Sequence, residues 1–239
     1  MISILANFIP EQIIPLTNIQ KMTDKKKLIS FLSEMVTERR IQRFNEVISR
    51  RTGYLRVVVE DLYQGHNASA VIRSCDCFGV QHMHFIENKN SMKVNDEIAL
   101  GAGSWVSVHK HKSTLECFQE LKNKGYRIVA TTPHKNDYTI DSLPLDNKIA
   151  LVFGTELSGI SEEVIKQADE FVKIPMFGFT ESFNISVSAA LCMYELTKRI
   201  RKEKIKWELE EEEKTEVYLQ WLMNSIENSE EIIKRLNTA

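Results

Sequence analysis

The chain has 239 residues, 43% of them hydrophobic and 27% charged, with a formal net charge of −2, the profile of an ordinary globular protein long enough to bury a core. No stretch reaches the roughly 18 apolar residues of a membrane span, and the N-terminus lacks the basic start and cleavage site of a secretory signal. The near-neutral balance excludes a globally basic nucleic-acid binder while leaving room for a local patch that holds a polyanion.

Residues 1–23 read as an irregular extension, because Pro10 and Pro15 interrupt their apolar clusters. A helical segment, residues 24–52, follows. Asp24 is placed to cap a helix running to about Met35, with Leu28, Phe31, Leu32 and Met35 as its apolar stripe. Thr37 is placed to cap a second over 38–50, where Ile41, Phe44 and Ile48 supply the packing side. Arg39, Arg40, Arg43, Arg50 and Arg51 decorate this segment, either as a solvated helix face or as a surface for phosphate.

From residue 53 to 200 short β-rich runs alternate with helical ones, which predicts an α/β domain whose parallel strands are joined by helical crossovers. Strands are expected at 55–59, 80–87, 126–131, 149–153 and 171–174. Helices are expected from the break at Gly65-His66-Asn67 through Phe78, then at 113–124, 162–169 and 186–200. Residues 201–239 form a C-terminal extension in which basic residues precede the acidic run 210–213. Its Trp207, Leu209, Val217, Leu219, Trp221 and Leu222 suggest a tail that folds back or pairs. Cys75, Cys77, Cys117 and Cys192 have neither disulfide-framework nor paired metal-ligand spacing, and read as buried small hydrophobes.

Three segments carry chemistry. In Asn67-Ala68-Ser69-Ala70-Val71-Ile72-Arg73, Asn67 can cap backbone donors, and Arg73 is either a surface cation or an ion-pair partner. In Gly154-Thr155-Glu156-Leu157-Ser158-Gly159 the glycines permit close backbone approach without making a dinucleotide fingerprint or a P-loop. The third joins Ile174-Pro175-Met176-Phe177-Gly178 through Ser182-Phe183-Asn184-Ile185-Ser186 to a helix rich in small residues, and Ser182 and Asn184 offer directional polar contacts.

Together, in this order, they resemble the motifs of the SpoU/TrmH branch of the SPOUT RNA methyltransferases, a resemblance that spans about residues 36–205 and includes Gly101-Ala102-Gly103-Ser104-Trp105. The resemblance implies a SPOUT methyltransferase fold with a deep C-terminal trefoil knot near 151–190 and flanking helices. It also implies a homodimer that binds S-adenosyl-L-methionine, with backbone groups near Thr131, Gly154, Ile174 and Phe183 holding the cofactor. Arg73, Asn67, Glu156, Ser182 and Asn184 match the family's catalytic positions, and no metal is required. Since a guanidinium has a reference pKa above about 12 it is a poor base, so Arg73 is assigned to orient phosphate and hydroxyl.

Within the family the chain is most similar to the TrmH enzymes, which methylate the ribose of guanosine at position 18 in the tRNA D-loop. The arginine-bearing segment 39–51, His66 and Trp105-Val106-Ser107-Val108-His109-Lys110-His111 carry that similarity. It implies tRNA as partner, a cytoplasmic setting and no membrane, with Arg40, Arg43, Arg51, His66 and Arg199 as RNA contacts. Alternatives are methylation of the tRNA wobble ribose or rRNA, and a non-catalytic RNA-binding or assembly protein. Phe183 departs from the leucine usual in that loop, and the N-terminal extension lies outside the resemblance.

Overall fold

A computed structural model describes residues 25–62, 64–88, 101–135, 137–155 and 159–236. The expectations for residues 1–23, the Asp24 cap and the Glu156 side chain lie outside the described residues. The chain divides into two compact units, one holding residues 50–209 and the other combining residues 1–49 with 210–239.

In the larger unit every strand pairing is parallel. The strands β1 (Leu55–Glu60), β2 (His82–Ile86), β3 (Ser107–His111), β4 (Arg127–Thr131), β5 (Tyr138–Thr139), β6 (Ile149–Phe153) and β7 (Glu170–Lys173) form one sheet. Its order is β3-β2-β1-β6-β4-β7-β5. The central strands read as continuous apolar runs because helices cover both faces. Leu55, Val57 and Val59 of β1 and Leu151 and Phe153 of β6 pack with α3 (Gly65–Phe78) and α6 (Ile185–Ile200). Val58, Ala150 and Val152 pack on the opposite face with Cys117, Phe118 and Leu121 of α4 (Thr114–Asn123) and Val164 of α5 (Glu162–Gln167). Period-2 alternation thus sends neighbouring residues into two separate cores.

Local capping explains where the helices start. Ser113 accepts from the Glu116 amide and Ser161 from the Val164 amide, each leaving its own backbone extended. Asn67 does not cap: α3 already begins at Gly65 behind Gln64, so Asn67 lies inside its first turn. Gly79 ends α3 at φ 75°, where a Cβ would meet the Arg50 carbonyl oxygen at 2.7 Å, so the turn admits only glycine.

β3 and β5 were not expected from the sequence. β3 is an edge strand rich in His and Lys, without the apolar run that marks β1 or β6, and β5 has two residues. Cys75, Cys117 and Cys192 are buried, but Cys77 is exposed on α3, correcting the expectation that all four are interior.

In the smaller unit α1 (Lys25–Ser33) packs against α7 (Glu211–Ser225), as does α2 (Glu38–Ile48). Phe44 meets Tyr218 edge-on at 5.8 Å and Trp221 at 5.5 Å, and Lys25 pairs with Glu216 at 2.7 Å. The tail therefore folds back, with Trp221 buried and Tyr218 half-buried against Phe44. α8 (Ser229–Leu236) closes the unit, with Ile233 buried. No described helix is long and apolar enough to cross a membrane.

Candidate functional site

β6, β4 and β7 are adjacent in the sheet. All are parallel, so the loops after their carboxyl ends emerge side by side, the position at which open α/β sheets bind ligands. The residues expected to hold a cofactor stand there: Thr131 ends β4, Gly154 follows β6, Ile174 follows β7, and Phe183 lies on the loop from β7 to α6. A cavity of about 320 Å³ lies between the loops after β4 and β7, lined by Pro133, His134, Met176, Gly178, Thr180 and Glu181. That volume is at the lower end of small-molecule sites.

The loop after β6 is closed by its own backbone. The Thr155 amide donates to the Gly159 carbonyl at 2.9 Å and the Gly159 amide returns a bond to Thr155 at 3.1 Å. A Cβ on Gly154 would come within 2.1 Å of the Gly159 carbonyl carbon, and Gly159 itself sits at φ 68°. Both glycines are therefore dictated by geometry. The Thr131 hydroxyl donates to the Val152 carbonyl at 2.9 Å, tying the ends of β4 and β6 together.

On the other side of this region α3 and α6 pack together. Asn184 caps α6, its Oδ1 accepting from the Ser186 amide at 2.8 Å and the Ser186 hydroxyl at 2.6 Å. Its Nδ2 donates to Oδ1 of the buried Asn67 at 3.3 Å, and Asn67 Nδ2 donates to Gln64 Oε1 at 3.4 Å. The fold thus brings together two expected site residues 117 positions apart. Ser182 is exposed on the same loop as Asn184, while Arg73 and His66 are exposed on α3. Arg73 makes no hydrogen bond or ion pair among the described residues, so none joins it to Ser182 or Asn184.

The expected RNA-contacting arginines divide. Arg40 and Arg43 are exposed on α2, Arg43 pairing with Glu46 at 2.8 Å. Arg51 and Arg199 correct the expectation. Arg51 is 1% exposed and its guanidinium is paired with Asp76. Arg199 donates to the carbonyls of Ile140 at 2.9 Å and Leu143 at 2.7 Å, clamping the turn after β5. Arg51 is a structural residue here, since a buried guanidinium paired with a carboxylate has no fork left for phosphate, and Arg199, half-buried, directs two of its donors to the turn.

Sequence reading missed a polar cluster between β2, β3 and α4. The register sets His84 beside His109, with rings stacked at 4.5 Å. His84 Nδ1 lies 2.9 Å from His111 Nε2, and Arg56 Nη1 lies 3.4 Å from His84 Nε2. Arginine can only donate, so His84 Nε2 accepts, its Nδ1 carries the proton, and His111 Nε2 accepts that proton in turn. Burial first, and then neighbouring His109 and Arg56, hold His84 well below the ordinary histidine range. Cys117 approaches His84 and His111 closely enough for their ligating atoms to lie within 4.8 Å of one another. Metal at His84 Nδ1 would require the proton on Nε2, facing the Arg56 donor. Burial pushes the Cys117 thiol up, away from the thiolate a metal needs. The cluster therefore fits a neutral hydrogen-bonded core. Only the i, i+2 histidine spacing in both strands could have signalled it.

Comparison with known proteins agrees with this geometry. Residues 54–194 match the SpoU rRNA Methylase family. A tRNA (guanosine(18)-2'-O)-methyltransferase of Borreliella burgdorferi is 40% identical over 215 residues, covering 90% of this chain and 99% of that protein. One of the same name from Aquifex aeolicus is 33% identical over 197 residues, covering 80% and 92%. The crystal structure of the A. aeolicus TrmH/SpoU tRNA modifying enzyme is similar with a TM-score of 0.72 at 31% identity, over 80% of this chain and 98% of that one. The SpoU methyltransferase AviRb from Streptomyces viridochromogenes, in complex with AdoMet, shares the fold with a TM-score of 0.57 at 20% identity, over 66% and 65% of the two chains.

Proposed function

The chain belongs to the SpoU/TrmH family of SPOUT methyltransferases, whose α/β fold characteristically carries a trefoil knot, and on that premise we propose that it methylates the ribose 2'-hydroxyl of guanosine 18 in the tRNA D-loop. The observation that carries the target is the similarity over nearly the whole chain to two methyltransferases named for that nucleotide. S-adenosylmethionine supplies an electrophilic methyl group. The cavity residues fit it: Pro133 and Met176 give apolar walls, Gly178 has nothing against its Cβ position, and Thr180 and Glu181 line the cavity with polar groups. Thr131, Gly154, Ile174 and Phe183 are the residues that would hold it.

This chain's own side chains then position the hydroxyl. Arg73, exposed on α3, orients the adjacent phosphate and stabilises the negative charge that develops on the 2'-oxygen as the hydroxyl proton leaves to solvent water, which lowers the barrier. Asn67 and Asn184 lock the loop that presents Ser182, and Glu156, outside the described residues, keeps the catalytic assignment that its match to the family motif gives it. Arg40, Arg43 and His66 contact tRNA, in a cytoplasmic setting. A homodimer is supported by Val187, Leu191 and Tyr194, exposed apolar residues at i, i+4 and i+7 along α6.

Purified chain, labelled S-adenosylmethionine and unmodified tRNA transcripts test the reading, with the methylated ribose mapped by mass spectrometry. Label at guanosine 18, lost in Arg73→Ala with cofactor affinity retained, is expected. Label at nucleotide 34 or in rRNA would reassign the target. An intact chain that bound RNA and methylated none would refute the activity.

A further inference from the structure

Glu60, the last residue of β1, is 2% exposed and lies outside the three segments that carry the proposed chemistry. A carboxylate in that position is costly unless donors surround it. Four do. Oε1 accepts from the Ser161 hydroxyl at 2.7 Å, the Thr114 hydroxyl at 3.1 Å and Asn88 Nδ2 at 3.4 Å, and Oε2 accepts from the Ser161 amide at 3.0 Å. The donors come from the chain after β2, the first residue of α4 and the residue that caps α5.

Ser161 is the informative member. Its hydroxyl donates to Glu60 and accepts from the Val164 amide at 3.2 Å, so both capacities are directed and the residue has one orientation. It stands two positions beyond Gly159, where the loop after β6 closes on Thr155. That loop is tied at its entrance by the glycine contact and the Thr131–Val152 bond, and at its exit by Glu60. Two bonds of 2.7 and 3.0 Å tie Ser161 to the Glu60 carboxylate, so the exit of the loop is anchored to the end of β1.

We infer that Glu60 is a positioning residue for the cofactor-facing loop after β6, acting through Ser161; this rests on the methyltransferase reading of that loop. Glu60 touches neither substrate nor cofactor. It sets where the backbone of residues 159–161 lies, and so governs cofactor affinity while leaving RNA affinity alone. Thr114 shares the same carboxylate but leads into α4, away from the loop, which makes it the internal control.

The test compares Glu60→Gln, the milder Ser161→Ala and Thr114→Val in the full chain. Glu60→Gln keeps the volume but turns an amide donor towards groups that also donate. Cofactor affinity is measured by calorimetry with S-adenosylmethionine and S-adenosylhomocysteine, tRNA affinity by filter binding, and loop anchoring by hydrogen exchange of the amides at 155 and 159–161. Glu60→Gln is expected to weaken cofactor binding at least tenfold and Ser161→Ala several-fold, both with faster loop exchange and tRNA affinity within twofold. Thr114→Val is expected to lower the melting temperature and leave cofactor affinity within twofold. Equal losses of cofactor affinity in Thr114→Val and Ser161→Ala would mean a merely structural network and overturn the inference, as would unchanged affinity in Ser161→Ala and Glu60→Gln. A wild-type chain that binds neither ligand would defeat the methyltransferase reading instead, and the exchange rates would still decide whether Glu60 anchors the loop.

Discussion

Acidification from pH 7 to pH 5 should destabilise the fold through the buried histidines, and His84 allows the size to be worked out. His84 is fully buried, and desolvation first, then the charges of His109 and Arg56, depress its pKa well below 6.5. Unfolded, it titrates near the reference value of about 6.5. The unfolded state therefore binds the extra proton, so the stability contributed by neutral His84 is complete above about pH 6.5 and shrinks as pH falls towards the folded pKa. Across pH 7 to 5 the loss is RT times the logarithm of the ratio of the two unfolded-state binding terms, about 2 kcal/mol. His109, stacked on His84 and likewise depressed mainly by burial, adds at most the same again, for a total of about 4 kcal/mol. Glu120 titrates below this window, its pKa being lowered from 4.5 by Lys124 and His111 against the opposing effect of burial. Urea unfolding at the two pH values should show the loss in wild type, and His84→Asn should be less stable at pH 7 yet lose about 2 kcal/mol less on acidification. A wild-type difference under about 1 kcal/mol, or equal slopes in the two proteins, would refute a neutral His84 in the folded state.

Three further outcomes follow from packing and exposure. Gly154→Ala drives a methyl group into the Gly159–Ile160 backbone at 2.1–2.2 Å; calorimetry should find cofactor binding lost or weakened by more than a hundredfold, with the circular dichroism spectrum retained. Arg51→Ala removes a buried cation from its partner Asp76 and should cost about 3 kcal/mol in urea unfolding, leaving tRNA affinity of the folded fraction unchanged. Arg43→Ala should do the reverse, weakening tRNA binding in filter assays with a melting temperature within a degree or two.

The central strands were legible because both of their faces are buried. Ile149 to Phe153 is apolar at every position, and the observed β6 has those bounds. Capping was legible where a short polar side chain precedes a helix, as at Thr37. It misled at Asn67, which has the same side-chain chemistry but uses it across space, towards Asn184. β3 was not legible, since an edge strand takes its conformation from β2 and needs no apolar face to the same degree.

The arginines show why the site was only partly legible. Arg43, Arg51, Arg73 and Arg199 cannot be told apart by residue type, since a guanidinium offers the same donors to a phosphate, a carboxylate or a backbone carbonyl. What separates them is the acceptor supplied by distant chain: Asp76 claims Arg51, and the Ile140 and Leu143 carbonyls claim Arg199. Arg73 is left unspent because its position on α3 points it away from the sheet, while Asn67, six residues earlier, turns inward to Asn184. Glu60 was invisible for the complementary reason. At the end of an apolar strand it reads as a boundary residue, and only the return of residues 114 and 161 to the same strand end turns it into the acceptor on which the loop after β6 is hung.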